Sequence, residues 1–149
     1  MAADRSYIAE NDRERGRLEA LVGRLDDAAL SRAMPAGWTV AGVLAHLAFW
    51  DQAVLLLIEL LERGAPVPLE DEEDVDWIND AAKPLQLALP PRRAATLTVE
   101  TARATDQAVA ALSDGLLAKN AAAGSPINLV RARHRREHLD EIERVPARG

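Results

Sequence analysis

Apolar side chains recur every three or four positions in four segments of the chain, and helix-breaking residues lie between those segments. The first segment predicts an amphipathic helix of about 25 residues. Its apolar positions include Ile8, Leu18, Leu21, Val22, Leu25 and Ala29. This helix is expected to end before Pro35-Ala36-Gly37, because neither proline nor glycine favours a helix interior.

The second helix has a recognisable start and stop. Thr39 is placed to cap its first turn, and Trp38 and Val43 flank that cap at the spacing of a hydrophobic staple. The apolar positions continue to Leu61, and Gly64 follows with two prolines close behind. Glycine and proline at these positions predict the end of the helix.

A long connection is expected after the second helix. Six of the seven positions from Glu70 to Asp76 are acidic, which is typical of a solvated loop. A calcium site is the less favoured alternative, because the glycine and the ligand spacing of a calcium loop are missing. A short helix is predicted from Asp74 to Ala82, presenting Trp77 and Ile78 and stopped by Pro84.

The third and fourth helices complete the predicted fold. Pro90-Pro91 introduces the third helix, whose small-residue stripe extends to Leu116, and a loop is expected from Lys119 to Gly124. Ser125 is a possible cap with Pro126 at the first helical position, so the last helix is predicted from Pro126 to Arg144. The fold class is therefore all-α, a single four-helix-bundle domain over residues 1–149.

Composition narrows the choice of partners. The formal net charge of -6 and the pI near 5.1 argue against a nucleic-acid partner, which requires a clustered positive field. The one basic cluster is followed at once by acidic residues, and we interpret it as a charged helix surface. It consists of Arg131, Arg133, Arg135 and Arg136. The chain has no cysteine, so any thiol chemistry requires a thiol from outside it.

The hydropathy pattern favours a cytoplasmic protein that does not enter a membrane. Residues Met1 to Glu10 lack the apolar run of a signal peptide. The longest apolar stretch, Ala53 to Leu61, is interrupted by Glu59 and is too short to span a bilayer.

The three histidines of the chain are the candidate chemical groups. On the last helix the spacing of the apolar stripe includes His134 and His138, and Arg135 and Arg136 are expected to face away from it. Residues four apart on a helix have Cβ atoms about 5–6 Å apart and point the same way. His46 lies one turn from Val43 on the second helix, so it is also expected to face the interior.

Two interpretations of these histidines remain open at this point. Each could be an ordinary core residue hydrogen-bonded to a neighbour, or a surface residue. Alternatively, all three bind one metal ion, which removes the cost of about 1–3 kcal/mol for burying an unpaired polar group. The pair His134 and His138 is a weak signal by itself, and Arg135 stands where a metalloprotease helix has glutamate.

Several motifs together resemble the DinB-like superfamily. They are the start Gly37-Trp38-Thr39-Val40, the stretch His46-Leu47-Ala48-Phe49-Trp50-Asp51, the sequence Asp76-Trp77-Ile78-Asn79, and the closing segment from His134 to Ile142. That superfamily includes the metal-binding domain of mycothiol-dependent maleylpyruvate isomerase and related thiol transferases. The resemblance extends from the first helix to Ile142.

The resemblance implies a four-helix bundle that binds a divalent metal, zinc or nickel, through His46, His134 and His138. Trp50, one turn from His46, is either an ordinary core or lid residue or, as we predict here, a wall of the metal pocket that contacts a bound cofactor. Asp51 and Asn79 match motif positions, where each either orients a ligand or caps local backbone. Two acidic residues of the last helix, Glu137 and Glu141, have two open interpretations: they contact the metal-binding histidines and orient them, or they belong to a solvated face of the helix.

Three functions are consistent with these features. The first is an enzyme in which an open three-histidine site activates a low-molecular-weight thiol such as mycothiol, or a water, against a small electrophile. The second is a non-catalytic stress-response or binding module. The third is a metal-free all-α homodimer. A homodimer is also predicted from the apolar excess of the second helix, at Leu55, Leu56, Leu57, Ile58, Leu60 and Leu61.

Overall fold

The computed structural model describes residues 2–145. Within these residues the chain forms seven α-helices, a short 3-10 turn at Pro35–Gly37 and no β-strand. The helices are α1 (Tyr7–Arg24), α2 (Asp27–Leu30), α3 (Val40–Glu62), α4 (Glu72–Ala88), α5 (Pro91–Ala110), α6 (Asp114–Ala122) and α7 (Ala132–Arg144). The predicted all-α class is confirmed.

The central helix of the fold is α3. It packs most extensively against α5 and also contacts α4 and α7, while α1 packs against α5 and α7. Ala94, Ala95 and Ala102 of α5 are completely buried, and side chains this small allow neighbouring helices to approach closely. Leu44 and Leu139 join them in the larger of two apolar clusters.

The start of α3 is as predicted. The Thr39 hydroxyl accepts a hydrogen bond from the backbone N–H of Gly42 at 3.0 Å, which satisfies one of the unpaired donors of the first turn. The preceding turn is fixed by a backbone hydrogen bond from Met34 N–H to Trp38 C=O at 2.8 Å. This cap determines where His46 lies, two turns into the helix.

The first predicted helix is too long. It ends at Arg24 after 18 residues, and α2 follows as a separate turn. The break occurs because the Asp26 carboxylate accepts a hydrogen bond from the N–H of Ala29 at 2.8 Å and caps a new helix start.

The acidic segment is not simply a loop, and the predicted short helix is longer than expected. Asp71 and Asp74 form a capping box at the start of α4, and the acidic residues of this first turn interact favourably with the positive end of the helix. The helix continues through Pro84 to Ala88. Proline has no N–H to donate to the carbonyl of Asp80, one turn earlier. Pro84 is tolerated because both residues are exposed, so water can bind that carbonyl.

The boundaries predicted for the third and fourth helices are also wrong. After α5 ends at Ala110, Ser113 caps α6, which includes most of the segment expected to be a loop. Ser125 has a positive φ of 58° and is not a cap. The Asn120 side chain holds both backbone groups of Ile127, at 2.9 and 3.0 Å, and the Asn11 side chain accepts a hydrogen bond from the N–H of Ala132 at 2.9 Å, where α7 starts.

The hydropathy of α3 matches a buried helix. Within residues 2–145 it is the one helix that is long and apolar enough to span a membrane by length and composition. Of its apolar 18-residue segment, 61% is buried inside the protein. The core helix of a soluble protein passes the same test. Its surplus leucines have a second explanation besides a dimer, since Leu56, Leu57 and Leu60 line a cavity. The homodimer and the cytoplasmic location stay predictions.

Candidate metal centre

The three histidines meet in one place. Nε2 of His46 on α3 lies 3.1 Å from Nε2 of His134 on α7, and Nε2 of His138 lies 3.1 Å from the same atom. One nitrogen from each ring lies within 4.8 Å of those of the other two. The predicted convergence of His46, His134 and His138 is therefore present in the structure.

Hydrogen bonding alone does not satisfy this cluster. A neutral imidazole nitrogen carries either one hydrogen or one lone pair, so His134 Nε2 cannot serve both neighbours. Two nitrogens bound about 2.0–2.1 Å from one tetrahedral zinc ion lie about 3.3 Å apart, close to the 3.1 Å observed for His46 and His134. The three donors therefore fit a divalent ion.

The outer nitrogens of the rings have different surroundings. Nδ1 of His138 lies 3.0 Å from the Glu141 carboxylate, and if it carries the proton, the Nε2 lone pair faces the cluster. Nδ1 of His46 is buried and has no hydrogen-bond partner within the described residues. Trp38 packs against the His46 ring in a T-shaped arrangement, with ring centres 5.7 Å apart. Glu141 thus contacts His138, one of the predicted metal ligands, which agrees with the interpretation that Glu141 orients a ligand.

Burial keeps two of these imidazoles neutral. It lowers the pKa of His46 from 6.5 to about 4, with a smaller contribution from His138. Burial is also the largest cause lowering the pKa of His134 to about 2, followed by the other two histidines and by Arg131 and Arg135. Neutral imidazole is the form that binds metal.

The histidines lie at the edge of the buried face of α7, not at its centre as predicted. Fully buried positions of that face are Ala132, Arg135 and Leu139. His138 retains 17% of its side-chain exposure. A partly exposed edge position gives a ligand access to the cluster, which a fully buried position would not.

Buried charges next to the histidines were missed by the sequence analysis. Arg131 and Arg135 are only 5% and 1% exposed, so the basic cluster is not simply a charged surface. Arg131 Nε lies 2.9 Å from one oxygen of Asp51, and Arg135 lies 3.3 Å from the other. Arg135 also binds both carboxylate oxygens of Asp106 at 2.7 Å, and Arg15 joins Asp106 at 2.7 Å.

These contacts connect the helices that carry the histidines. Asp51 lies on α3, five residues after His46; of its two arginine partners, Arg135 lies on α7 next to His134, and Arg131 immediately precedes that helix. Burial alone would lower the pKa of Arg135, but the hydrogen bonds and charges of Asp106 and Asp51 raise it above its ordinary value. The Asp51 side chain therefore binds arginines and neither a histidine nor a backbone group within the described residues, and these contacts fix α3 against α7.

Two cavities meet at the histidine cluster. One has a volume of about 500 Å³ and is lined by His46, His134 and Trp50, by aliphatic residues on one wall and by several polar and charged side chains. The other, about 650 Å³, is lined by all three histidines and by mostly polar residues. Trp50 donates a hydrogen bond from its indole N–H to Asn79 of α4 at 2.8 Å. Trp50 thus walls a pocket beside the histidines, while its contact with a cofactor stays a prediction.

The fold and the cluster define an all-helical protein with a possible three-histidine metal site. Residues 10–141 match the family model described as the DinB superfamily. Because the match covers most of the chain, the protein belongs to the DinB superfamily, and the predicted resemblance is confirmed. Comparison with curated proteins and with solved structures gives no significant match in either case.

The histidine pKa values predict acid sensitivity of the metal-free protein. His46 has a pKa of 6.5 in the unfolded chain and of about 4 in the folded protein. Between these pH values the unfolded state therefore binds more protons than the folded state, and acid favours unfolding. We expect the free energy of unfolding, measured with urea, to be largest above pH 6.5 and to fall towards pH 4. The fall should be smaller in His46→Gln, and an equal fall in both proteins would contradict this assignment.

The buried ion network predicts a large effect of Asp51→Asn. The substitution keeps the shape of the side chain but leaves Arg131 and Arg135 short of one buried negative charge, which should cost roughly 3–5 kcal/mol of unfolding free energy. The control is Asp140→Asn, which breaks an exposed pair with Arg17 and should cost about 1 kcal/mol or less. Urea denaturation of both variants measures the difference, and similar values for the two would show that the network does not stabilise the fold.

Proposed function

We propose that this DinB-superfamily protein is a cytoplasmic, divalent-metal-dependent S-transferase or isomerase that uses a low-molecular-weight thiol of the mycothiol type on a small electrophile. The observation that supports it is the convergence of three Nε2 atoms, from His46, His134 and His138, at the junction of two cavities. In this proposal α1, α3, α5 and α7 are the four helices of the superfamily's bundle.

Zinc or nickel is the metal that we propose for this site. Three protein ligands with an open fourth position are typical of catalytic zinc, whereas structural zinc is closed by four. Bound there, a divalent ion supplies a positive charge that lowers the pKa of a thiol or a water near neutral pH. Because the chain has no cysteine, the thiol is a small molecule.

The surrounding side chains would hold two of the histidine rings in the orientation that binds a metal ion. Glu141 holds the Nδ1 side of His138, which fixes the ring orientation and increases its basicity. Trp38 packs against the His46 ring and limits its rotation.

Glu137 is the residue that we propose to accept the proton of the arriving thiol. It lies on α7 between His134 and His138 in sequence, and its side chain lines both cavities. It is exposed, so the proton taken up by its carboxylate can pass on to water. The thiol and the electrophile would enter from the two cavities and meet at the histidines.

Removing any histidine should abolish metal binding and activity together. We expect His46→Ala, His134→Ala and His138→Ala each to lose stoichiometric metal, measured by elemental analysis of protein purified without a histidine tag. Thiol transfer to a model electrophile should be lost in parallel. A variant that keeps full activity without its histidine would refute the assignment.

The cobalt-substituted protein tests the thiol directly. A thiol that binds at the ion should change the visible absorption spectrum of cobalt. If no thiol changes it, the favoured activity becomes hydrolysis by a metal-bound hydroxide. If the loaded protein shows neither thiol binding nor hydrolysis, it acts as a non-catalytic module.

The two glutamates of α7 should have separable effects. Glu141→Gln removes the carboxylate behind His138 and should weaken metal binding by about 10–100-fold. Glu137→Gln removes the same charge from the same helix without breaking a histidine contact, so it should keep its metal and lose turnover. Metal titration and steady-state kinetics distinguish the two, and equal losses of metal affinity would mean that only the net charge matters.

A further inference from the structure

The smaller cavity at the histidine cluster has an apolar wall. Trp50, Leu56, Leu57 and Leu60 of α3 line it from one side, and Val75 of α4 lines it from the other. Its volume of about 500 Å³ lies within the range of about 300–1,000 Å³ that is usual for small-molecule sites. The cavity is therefore large enough for a complete small molecule.

This cavity is directly connected to the proposed reaction centre. His46 and His134 form part of its lining. A molecule that filled the apolar part would place one end against these two imidazoles. The hydrogen bond between Trp50 and Asn79 holds α4 over α3 at this point and so keeps the Val75 side of the cavity in place.

The charges around the cluster disfavour an anionic occupant. Carboxylates that line the two cavities are Glu70, Asp76, Asp80, Glu137 and Glu141, and the cations without a buried partner there are Arg133 and Lys83. Arg131 also lines the apolar cavity, but Asp51 neutralises it at 2.9 Å. Five carboxylates against two cations leave the region negative, even after a divalent ion is added.

We propose that the apolar cavity is the electrophile subsite and that its occupant is an uncharged, apolar small molecule, not a carboxylate. Only the word electrophile rests on the proposed function, because the selectivity follows from the aliphatic wall of this cavity and from the charges that line the two adjoining cavities. The aliphatic wall binds the apolar body by removing it from water. The surrounding carboxylates repel an anion of the same shape.

The same proposal explains the apolar excess of α3. Leu57 also packs against the second apolar cluster of the core, but Leu56 remains 52% exposed and Leu60 is only partly buried, so these two leucines are not needed to complete the core. An apolar ligand bound in the cavity would cover these leucines and so account for apolar side chains at exposed positions.

Two fluorescent probes that differ by one anionic group test the charge selectivity. They are N-phenyl-1-naphthylamine, which is uncharged, and 1-anilinonaphthalene-8-sulfonate, which adds a sulfonate to the same rings. We expect the uncharged probe to bind at least about tenfold more tightly, the ratio that about 1.4 kcal/mol produces. Equal or tighter binding of the sulfonate would overturn the proposal.

Matched variants test the location of the probe. Leu57→Glu places a charge in the cavity wall and should weaken binding of the uncharged probe at least about tenfold. Leu85→Glu makes the same change at a residue of α4 that is 74% exposed and should leave the affinity within about twofold. Ala53→Trp fills the cavity with an apolar side chain and should also abolish binding, so the test does not depend on tolerance of a buried charge. Binding that Leu57→Glu and Ala53→Trp leave unchanged would overturn the location.

The titrations are done on metal-loaded protein and again after chelation. Probe binding requires neither thiol nor turnover. Selective probe binding in a protein that binds no metal would therefore refute the proposed function and leave the apolar subsite standing. Loss of selectivity in a protein that is active with thiols would refute the subsite alone.

Discussion

The geometry of the histidine cluster depends on a buried ion network that contains no histidine. Asp51 of α3 binds Arg135 of α7 and Arg131 just before that helix, and Asp106 of α5 binds Arg135 through both of its oxygens. Charges this deeply buried are stable only when each has its partner in good geometry. Few arrangements of the three helices satisfy all of these contacts at once, and the observed one places His46 next to His134.

The site residues could be found from the sequence because their spacing has a direct geometric meaning. Two histidines four apart must share one side of a helix, and the cap at Thr39 fixes the phase of His46. The network could not be found in the same way, because its members are far apart in sequence. Its one local signal was charge within an apolar stripe: Asp51 stands between Leu47 and Val54, and Arg135 lies between Ala132 and Leu139. Such residues face the core, so their charge had to be paired there.

The errors in helix boundaries share a physical cause. Periodicity identifies where a helix is amphipathic, but the ends are fixed by side chains that bond to backbone groups. The Asp26 side chain caps a new helix within the first predicted helix, and the capping box of Asp71 starts a helix within the predicted acidic loop. The Asn120 side chain binds the backbone of Ile127, which was predicted to be helical but precedes the last helix. In each case a short polar side chain offers the backbone an alternative hydrogen bond, which hydrophobic spacing does not reveal.

A chain with few aromatic residues places two of its three tryptophans around the histidines. Trp38 packs on the His46 ring, and Trp50 lines the apolar cavity and anchors α4 through Asn79. A rigid, apolar surface beside a polar cluster excludes water from one side of it, and exclusion of water strengthens electrostatic interactions there. The opposite side is lined by carboxylates and other polar groups. The cluster therefore lies at the boundary between a mainly apolar and a mainly polar cavity, and under the proposed function a thiolate would form beside polar groups and meet an apolar electrophile from the other side.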